Sequence, residues 1–351
     1  MEPATEEFRA RAQQALADKR LQTALGGLRG GLVAQRTAAR QRLPEFDAYR
    51  TTARDIRDRT LAQLDHHLET WERNAVAAGA KVHWAATAES ARETVLAICK
   101  AAGARTIAKG KSMITEEIGL NAHLEAAGLE VVETDLGEYL VQIRGETPSH
   151  IIAPAIHLTP ADVEADFRRH HPELPQERVL DTPAAMVAEA RHVMRDAFAR
   201  ADVGITGANF LVAETGSSLI VTNEGNGDLA QSLARVHIVV ASIDKVVATL
   251  ADLSVLLRLL ARSATGQECT TYTTLSTGPR RGGDPDGPEA YHVVVLDNDR
   301  SALLGTELRE ALRCIRCGAC MNHCPVYEAV GGHAYGWVYP GPIGAVMTPA
   351  L

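Results

Sequence analysis

The sequence lacks an apolar run long enough to cross a membrane. Charged side chains interrupt its most apolar stretch, residues 236–260: Asp244, Lys245, Asp252 and Arg258. A membrane-spanning helix needs about 20 consecutive, mostly apolar residues. The N-terminus, MEPATEEFRARAQQ, is charged and has no apolar core of the kind that a secretory signal peptide requires. We therefore expect a cytoplasmic protein without a transmembrane segment.

The sequence also lacks an excess of positive charge. Its 36 Lys and Arg stand against 44 Asp and Glu, which gives a formal net charge of −8. Nucleic acids and anionic membranes attract basic surfaces, so we expect neither as the main partner. A disordered or fibrous protein is excluded too, because 46% of the 351 residues are hydrophobic and can form a core. The length suggests two or three folding units.

Cysteine is scarce outside one short segment near the C-terminus. Four of the six cysteines lie there within eleven residues: Cys314, Cys317, Cys320 and Cys324. A secreted protein stapled by disulfides would spread its cysteines along the chain, so this crowding indicates a metal site in a reducing compartment. The remaining two, Cys99 and Cys269, are expected to be buried core thiols.

The cysteine spacing, C-x2-C-x2-C-x3-C-P, is typical of bacterial 4Fe-4S clusters. The short gaps wrap the backbone around the cluster, and the small residues Gly318 and Ala319 let backbone N–H groups approach it. Structural zinc sites usually separate two cysteine pairs by a longer loop, so the spacing favours iron–sulfur. The residues leave the fourth ligand open: Cys324, a cysteine of a second run that this chain lacks, or His323.

The order of apolar runs and helical patterns predicts an α/β fold, a mostly parallel sheet flanked by helices. We divide the chain into an N-terminal helical arm (1–78), an α/β domain (79–300) and an iron–sulfur segment (301–351) that begins with a helix over 301–317. The late segments TTYTTLST and YHVVVLD are predicted to form an antiparallel pair. The apolar run between His150 and His157 is predicted to be a strand.

Two segments of the α/β domain are candidates for an anion pocket. Lys109, Lys111 and Ser112 lie between a predicted strand and a helix N-terminus, whose free N–H groups attract anions; an N-cap with solvated lysines explains them equally well. Glycines at both ends of a later strand let the backbone approach a ligand. The predicted pocket residues are Lys109, Lys111, Ser112, Gly216, Ser217, Asn223, Gly225 and Gly227.

Glu214 and Glu224 flank the same strand and are the candidate catalytic carboxylates, although exposed loop glutamates are the commoner case. The segment GNGDLA also matches the dinucleotide pattern G-x-G-x-x-A, with Asp244 further on. The helix after it would have about eight residues, which is short for the connection between parallel strands. Nicotinamide binding is therefore disfavoured.

Four segments follow one another in the chain: KGKSMITEEIGLN, VETDLGEYLVQIRGETPSHIIAPAIH, GITGANFLVAETGSSLIVTNEGNGD and CIRCGACMNHCPVY. Together these segments resemble the lactate utilization B family of LUD-domain iron–sulfur proteins. The resemblance covers the chain from about residue 45 to the end. The resemblance implies a central domain similar to the sugar-phosphate isomerase and CoA-transferase superfamily. It also implies an electron-transfer subunit that works with other lactate utilization subunits to oxidise L-lactate to pyruvate.

The resemblance further implies that Cys314, Cys317 and Cys320 hold one 4Fe-4S cluster. Its fourth ligand would come from a second cysteine run, which family members carry beyond GPIGAVMTP, and Cys324 would join the cluster of that run. Since the sequence ends at Leu351, we expect a chain cut before its second cluster. Two alternatives remain: the LUD domain is itself an enzyme for a hydroxy acid or CoA-like anion, or it is a ligand sensor with an auxiliary cluster.

Overall fold

The structure, a computed structural model, describes residues 4–351 with the exception of the Arg29 side chain. Helices fill the chain before the first strand: α1 Phe8–Ala17, α2 Lys19–Leu28, α3 Ala34–Gln41, α4 Phe46–Ala62 and α5 Leu64–Ala77. A π-helical stretch, Arg29–Val33, joins α2 to α3. No helix in residues 4–351 has both the length and the apolarity to cross a bilayer.

The strands form two sheets. The main sheet contains β1 Lys81–Ala85, β2 Thr106–Lys109, β3 Glu130–Glu133, β4 Val203–Gly207, β7 Val236–Ser242 and β10 Ala290–Leu296. The second contains β5 Phe210–Val212, β6 Ser217–Thr222, β8 Val246–Val247 and β9 Tyr272–Ser276. The main sheet is parallel throughout, in the order β1-β10-β7-β4-β2-β3. The predicted α/β fold is confirmed.

The other helices follow or connect these strands. Between β1 and β4 lie α6 Ala88–Ala101, α7 Met113–Glu117, α8 Leu120–Ala126, α9 Leu136–Arg144, α10 Pro160–His170 and α11 Pro183–Arg200. Later in the chain lie α12 Asn226–Leu233, α13 Leu250–Ala264, α14 Arg300–Leu303, α15 Ala319–Asn322, α16 Pro325–Val330 and α17 Gly341–Met347. The main sheet is thereby covered on both faces.

The strand β10 shows why the predicted antiparallel pair with β9 is wrong. It lies inside the main sheet, parallel to both β1 and β7. Val293 and Val295 pack in one apolar cluster with Trp71 of α5, while Val294 and Leu296 pack on the opposite face. An uninterrupted apolar run is typical of a parallel strand that is buried on both faces. The strand β9 instead pairs with β6 in the second sheet.

Other sequence predictions need correction. Residues 149–158 form bends and turns instead of a strand. Pro154 has no N–H to donate to a neighbouring strand, and the N–H groups of Ile152 and Ala153 donate to His150 Nδ1. The helix predicted over 301–317 is broken: α14 ends before Gly305, and a short 3-10 helix, Glu307–Arg313, follows it. Cys269 is exposed in the loop before β9, whereas Cys99 is buried as expected.

His237 gives the main sheet a dependence on pH. It is buried on β7, with Nε2 2.8 Å from Thr206 Oγ1. Burial lowers the pKa of this imidazole from 6.5 to about 3, so the unfolded chain binds a proton at a pH where the native chain does not. Stability is therefore lost as the pH falls below about 6.5, by about 2 kcal/mol from this residue at pH 5.

The measurement is the urea midpoint of unfolding at pH 7 and pH 5, for the unmodified chain and for His237→Gln. The glutamine keeps a group that can bond Thr206, but it has no proton to gain in this range. We expect the unmodified chain to lose more stability between the two pH values than the variant does. Equal losses would show that His237 does not contribute to the pH dependence.

Candidate metal centre and adjoining cavity

The clustered cysteines lie on a tightly curved loop. Two residues in left-handed conformation bend it between the first three cysteines, Arg316 at φ 59° and Gly318 at φ 74°. A Cβ atom at Gly318 would also lie only 2.9 Å from Ile152 Cγ1. Both the backbone conformation and the close approach therefore favour glycine at this position.

Backbone N–H groups of this curved loop point at the cysteine sulfurs. The N–H of Arg316 donates to Cys314 Sγ at 3.4 Å. The N–H of Ala319 donates to Cys317, and Cys320 accepts from the N–H of Ile343 in α17. Such N–H···S bonds stabilise thiolate ligands and tune the reduction potential of a cluster.

Buried positive charge surrounds the same sulfurs. Cations lie close to Cys314 or Cys317: Arg36, Arg57, Lys245 and Arg316. Within the described part of the chain, buried Arg36 Nε, Arg57 Nε and Arg316 Nη1 have no hydrogen-bond partner. A thiolate-bound cluster is anionic, and it would supply the missing negative charge. The donors and their surroundings thus fit an iron–sulfur cluster.

Two of the clustered cysteine thiols, Cys317 and Cys320, have a raised pKa. Burial, together with Cys314 and Cys320 nearby, raises the pKa of Cys317 to about 11. Burial also raises the pKa of Cys320. A metal ligand must be deprotonated, so binding of iron would displace these protons.

Cys317 and Cys324 lie in different apolar surroundings. Cys317 packs at the edge of the group of apolar side chains that contains Phe46, while Cys324 packs against the group that contains Tyr327. The hydroxyl of Tyr335 contacts the Cys324 sulfur. Cys317 and Cys324 thus have different apolar neighbours, and the assignment of Cys324 to a second cluster stays a prediction.

A cavity of about 400 Å³ adjoins the cysteine loop. Residues that follow β2, β4 and β7, three neighbouring strands, line it at their carboxyl ends. This is the edge of a parallel sheet at which ligands commonly bind. Arg316 and Tyr339 close the cavity from the side of the cysteine segment, and the guanidinium of Arg316 lies 5.0 Å from the Tyr339 ring centre.

The structure brings part of the predicted anion pocket together. Five of the residues singled out from the sequence line the cavity: Lys111, Ser112, Asn223, Glu224 and Gly227. The hydroxyl of Ser112 is buried and has no hydrogen-bond partner among the described residues. Gly207 allows this close approach, because a Cβ atom there would lie 2.7 Å from Ser112 Oγ.

The other predicted pocket residues and the catalytic candidate Glu214 lie outside the cavity lining; those pocket residues are Lys109, Gly216, Ser217 and Gly225. Lys109 is fully buried and pairs with Glu133 and with Glu116, the latter at 3.1 Å. Glu214 accepts a 2.8 Å bond from the N–H of Leu250, at the start of α13. These two charged side chains are therefore engaged in holding the fold.

The other three residues outside the lining have structural contacts of their own. A Cβ atom at Gly216 would lie 2.2 Å from the backbone nitrogen of Ala75, and one at Gly225 would lie 3.3 Å from the Tyr272 ring. The hydroxyl of Ser217 lies 2.8 Å from that of Thr277. The glycines around β6 thus permit close packing between elements.

Sequence reasoning missed the two cations at the end of the cavity nearest the cysteines, Lys245 and Arg316. Lys245 lies three residues beyond the last residue of β7, and its position after the carboxyl end of an apolar strand was the available signal. Burial, with Arg316 and Arg57 adding to it, lowers the pKa of Lys245 to about 8. The ammonium group therefore stays mostly protonated at neutral pH.

A buried ion network lies behind these cations. Arg300 is fully buried and contacts both oxygens of Glu117, at 3.0 and 2.6 Å, and Asp244 Oδ1 at 3.2 Å. Tyr339 donates a 2.7 Å bond to Glu117. Burial alone would raise the pKa of Asp244, but Arg300 and Arg316 lower it below its usual value. The network ties α7, the end of β7 and the C-terminal segment together.

Known protein families match both parts of this site. The LUD domain family matches residues 68–296, and the 4Fe-4S dicluster domain family matches residues 310–350. The second match confirms the predicted 4Fe-4S cofactor.

Curated relatives match along nearly the whole chain. Lactate utilization protein B of Shouchella clausii is 45% identical, over 98% of this chain and 72% of that protein. The Bacillus subtilis protein of the same name is 42% identical over 100% and 73%. An uncharacterized electron transport protein of Escherichia coli, YkgF, is 44% identical over 98% and 72%.

Among solved structures, a DUF162 family protein from Deinococcus radiodurans aligns with 67% of this chain and 98% of its own. Its sequence identity is 18% and its TM-score 0.35. Two domain families match this chain, and curated relatives are more than 40% identical to it along nearly its whole length. The chain therefore belongs to the family of LUD-domain proteins with a 4Fe-4S dicluster domain, to which the lactate utilization B proteins belong.

Proposed function

We propose that the chain is the iron–sulfur electron-transfer subunit of a cytoplasmic, multi-protein system that oxidises L-lactate to pyruvate. The names of its relatives support the substrate, and one of those relatives is named as an electron transport protein. The observation that carries the electron-transfer role is the cysteine loop, with backbone N–H groups and buried cations directed at its sulfurs.

In this proposal Cys314, Cys317 and Cys320 hold one 4Fe-4S cluster, and Cys324 ligates a second. A bound cluster supplies one-electron transfer, which thiol side chains alone do not provide. The N–H groups of Arg316 and Ala319 hold the sulfurs in place.

The surrounding side chains have the chemistry that a carrier of this kind needs. Buried cations such as Arg57 and Lys245 favour the more negative, reduced state. Cys317 lies against the apolar cluster that contains Phe46, which restricts water on that side. Other subunits of the system would supply the lactate-oxidising centre and accept the electrons.

The test is reduction of the cluster by lactate. Oxidation of L-lactate to pyruvate releases two electrons and two protons, and transfer of those electrons to the cluster bleaches its visible absorption. We expect bleaching when L-lactate is added anaerobically to the chain together with the other subunits, and none when the chain is alone. Bleaching of the isolated chain would contradict the carrier role and favour an enzymatic LUD domain.

A neighbouring cation should influence the reduction potential. Arg36 on α3 lies close to Cys317, and its guanidinium carbon lies 5.8 Å from the centre of the Phe46 ring. Removing this charge by Arg36→Met should destabilise the reduced state by roughly 1 kcal/mol. That corresponds to a midpoint potential more negative by about 40 mV for one electron.

The matched control is Arg40→Met on the same helix. Arg40 lies 5.7 Å from the same ring centre, but its charge is paired with Asp47 at 2.7 Å on the surface. Potentiometric titration followed by electron paramagnetic resonance measures both variants. A shift of equal size in the two would mean that the effect comes from net charge and not from the position of Arg36.

A further inference from the structure

The cavity beside the cysteine loop has an unbalanced positive end. Lys245 and Arg316 line it there, with Lys111 from the loop after β2. Lys111 donates to the carbonyl of Ile152. Within residues 4–351, Lys245 Nζ makes no hydrogen bond, and the buried Arg316 Nη1 has no partner.

Among the residues that the structure describes, the acidic side chains near the cavity do not form direct ion pairs with Lys245 or with Arg316 Nη1. Asp135 and Glu224 line the cavity, but Asp135 accepts bonds from the first N–H groups of α9, and Glu224 accepts from the N–H of Asn223. Behind the lining, Asp244 is held by Arg300 at 3.2 Å and lies 4.0 Å from Arg316. Arg316 Nη1 and Lys245 Nζ can therefore still donate hydrogen bonds to an anion in the cavity, in addition to their attraction to the cluster.

The rest of the cavity suits a small ligand with a neutral remainder. Ser112 offers a buried, unpartnered hydroxyl. Asn223 and Gln267, which also line the cavity, bond each other through their amides at 3.1 and 3.2 Å. Ile220 and Leu260 supply apolar wall. A volume of about 400 Å³ lies within the range of small-molecule sites.

We propose that this cavity binds the carboxylate of a small organic acid between Lys245 and Arg316, with the Ser112 hydroxyl as a further donor. The choice of a carboxylate rests on the proposed function, which supplies a 2-hydroxy acid and its 2-oxo product. Arg316 also connects the site to the cluster, since its backbone N–H donates to Cys314 Sγ at 3.4 Å. A bound anion would therefore lie beside the cluster loop.

The first experiment is calorimetric titration of the anaerobically prepared chain, cluster included, with pyruvate, L-lactate and inorganic phosphate. We expect saturable binding of a carboxylate, at least tenfold weaker in Lys245→Met and unchanged in Lys100→Met. Lys100 is an exposed lysine at the end of α6, so the control removes the same charge away from the cavity. Absence of saturable carboxylate binding, binding of phosphate alone, or equal affinity in Lys245→Met would overturn the proposal.

The second experiment needs no variant and so does not depend on the folding of Lys245→Met. Cyanate carbamylates lysine amines, and mass spectrometry gives the extent at each residue. Saturating pyruvate is expected to protect Lys245 several-fold and to leave Lys100 unaffected. Equal carbamylation of Lys245 with and without pyruvate would overturn the proposal.

The outcomes separate this proposal from the electron-transfer role. A chain that accepts electrons from lactate with its partner subunits, but binds no carboxylate at Lys245, would overturn the cavity proposal alone. A chain that binds pyruvate there, but whose cluster is not reduced in the assembled system, would overturn the electron-transfer role alone.

Discussion

Replacing Cys317 by serine is expected to abolish the 4Fe-4S cluster. The Cys317 thiol is largely enclosed, packed beside Phe46, and it accepts a bond from the N–H of Ala319. A serine hydroxyl is a poor ligand for iron, and its pKa is too high for it to replace a thiolate. The variant would also leave the Arg36 and Arg316 cations without the negative charge that they face.

Visible absorption and iron content of the anaerobically purified protein measure this effect. We expect Cys317→Ser to lose the share of both that comes from the cluster held by Cys314, Cys317 and Cys320. The matched control is Cys269→Ser, which changes the same atom in an exposed cysteine away from the loop, and should leave both values unchanged. Full iron content in Cys317→Ser would remove Cys317 from the ligand set.

The part of the metal centre that could be predicted from the sequence is the part whose residues are close together in the chain. The four cysteines lie within eleven residues, so their spacing alone places them on one loop and indicates the cofactor. The cations that surround them come from α3, α4 and the end of β7, far away in the sequence. No local pattern marks Arg36 or Arg57 as neighbours of a cysteine, so the sequence could not reveal them.

The residues that line the cavity could also be predicted only in part from the sequence. Lys109 and Lys111 are two residues apart and look alike in the sequence, but the strand ends between them. Lys109 ends β2 and is buried against Glu133, whereas Lys111 follows in the loop and lines the cavity. Lys245 reaches the same cavity because β7 lies beside β4, a pairing that depends on sheet order.

Helices and strands could be predicted from the sequence where their own residue pattern indicates their type. The apolar runs of β1, β2 and β3 and the helix α6 follow the predicted alternation of strand and helix. The partner of β10 was not predictable from its neighbour in sequence, because a long connection lets β9 join the other sheet. Burial on both faces, visible in the run YHVVVL, was the signal for a central parallel strand.

The largest loss of stability is expected from Glu117→Ala. Glu117 is 3% exposed and accepts bonds from Arg300, from Asn298 at 2.9 Å and from Tyr339 at 2.7 Å. Its removal leaves the buried Arg300 guanidinium with Asp244 as its remaining carboxylate. Breaking a buried ion pair from one side costs about 3–5 kcal/mol, because the other charge stays uncompensated.

Urea unfolding followed by far-ultraviolet circular dichroism measures this loss. Two further variants serve as a matched control and as a test of coupling between Glu117 and Arg300. Glu125→Ala, an exposed glutamate on α8, is the matched control and should change the free energy of unfolding by less than about 0.5 kcal/mol. The double variant Glu117→Ala/Arg300→Met removes both charges, so its loss should be smaller than the sum of the two single losses. If Glu117→Ala were as stable as Glu125→Ala, the network would not be what joins α7 to the C-terminal segment. Additive losses in the double variant would instead mean that Glu117 and Arg300 stabilise the fold independently, and that the geometry of their contact contributes nothing beyond the packing of each side chain.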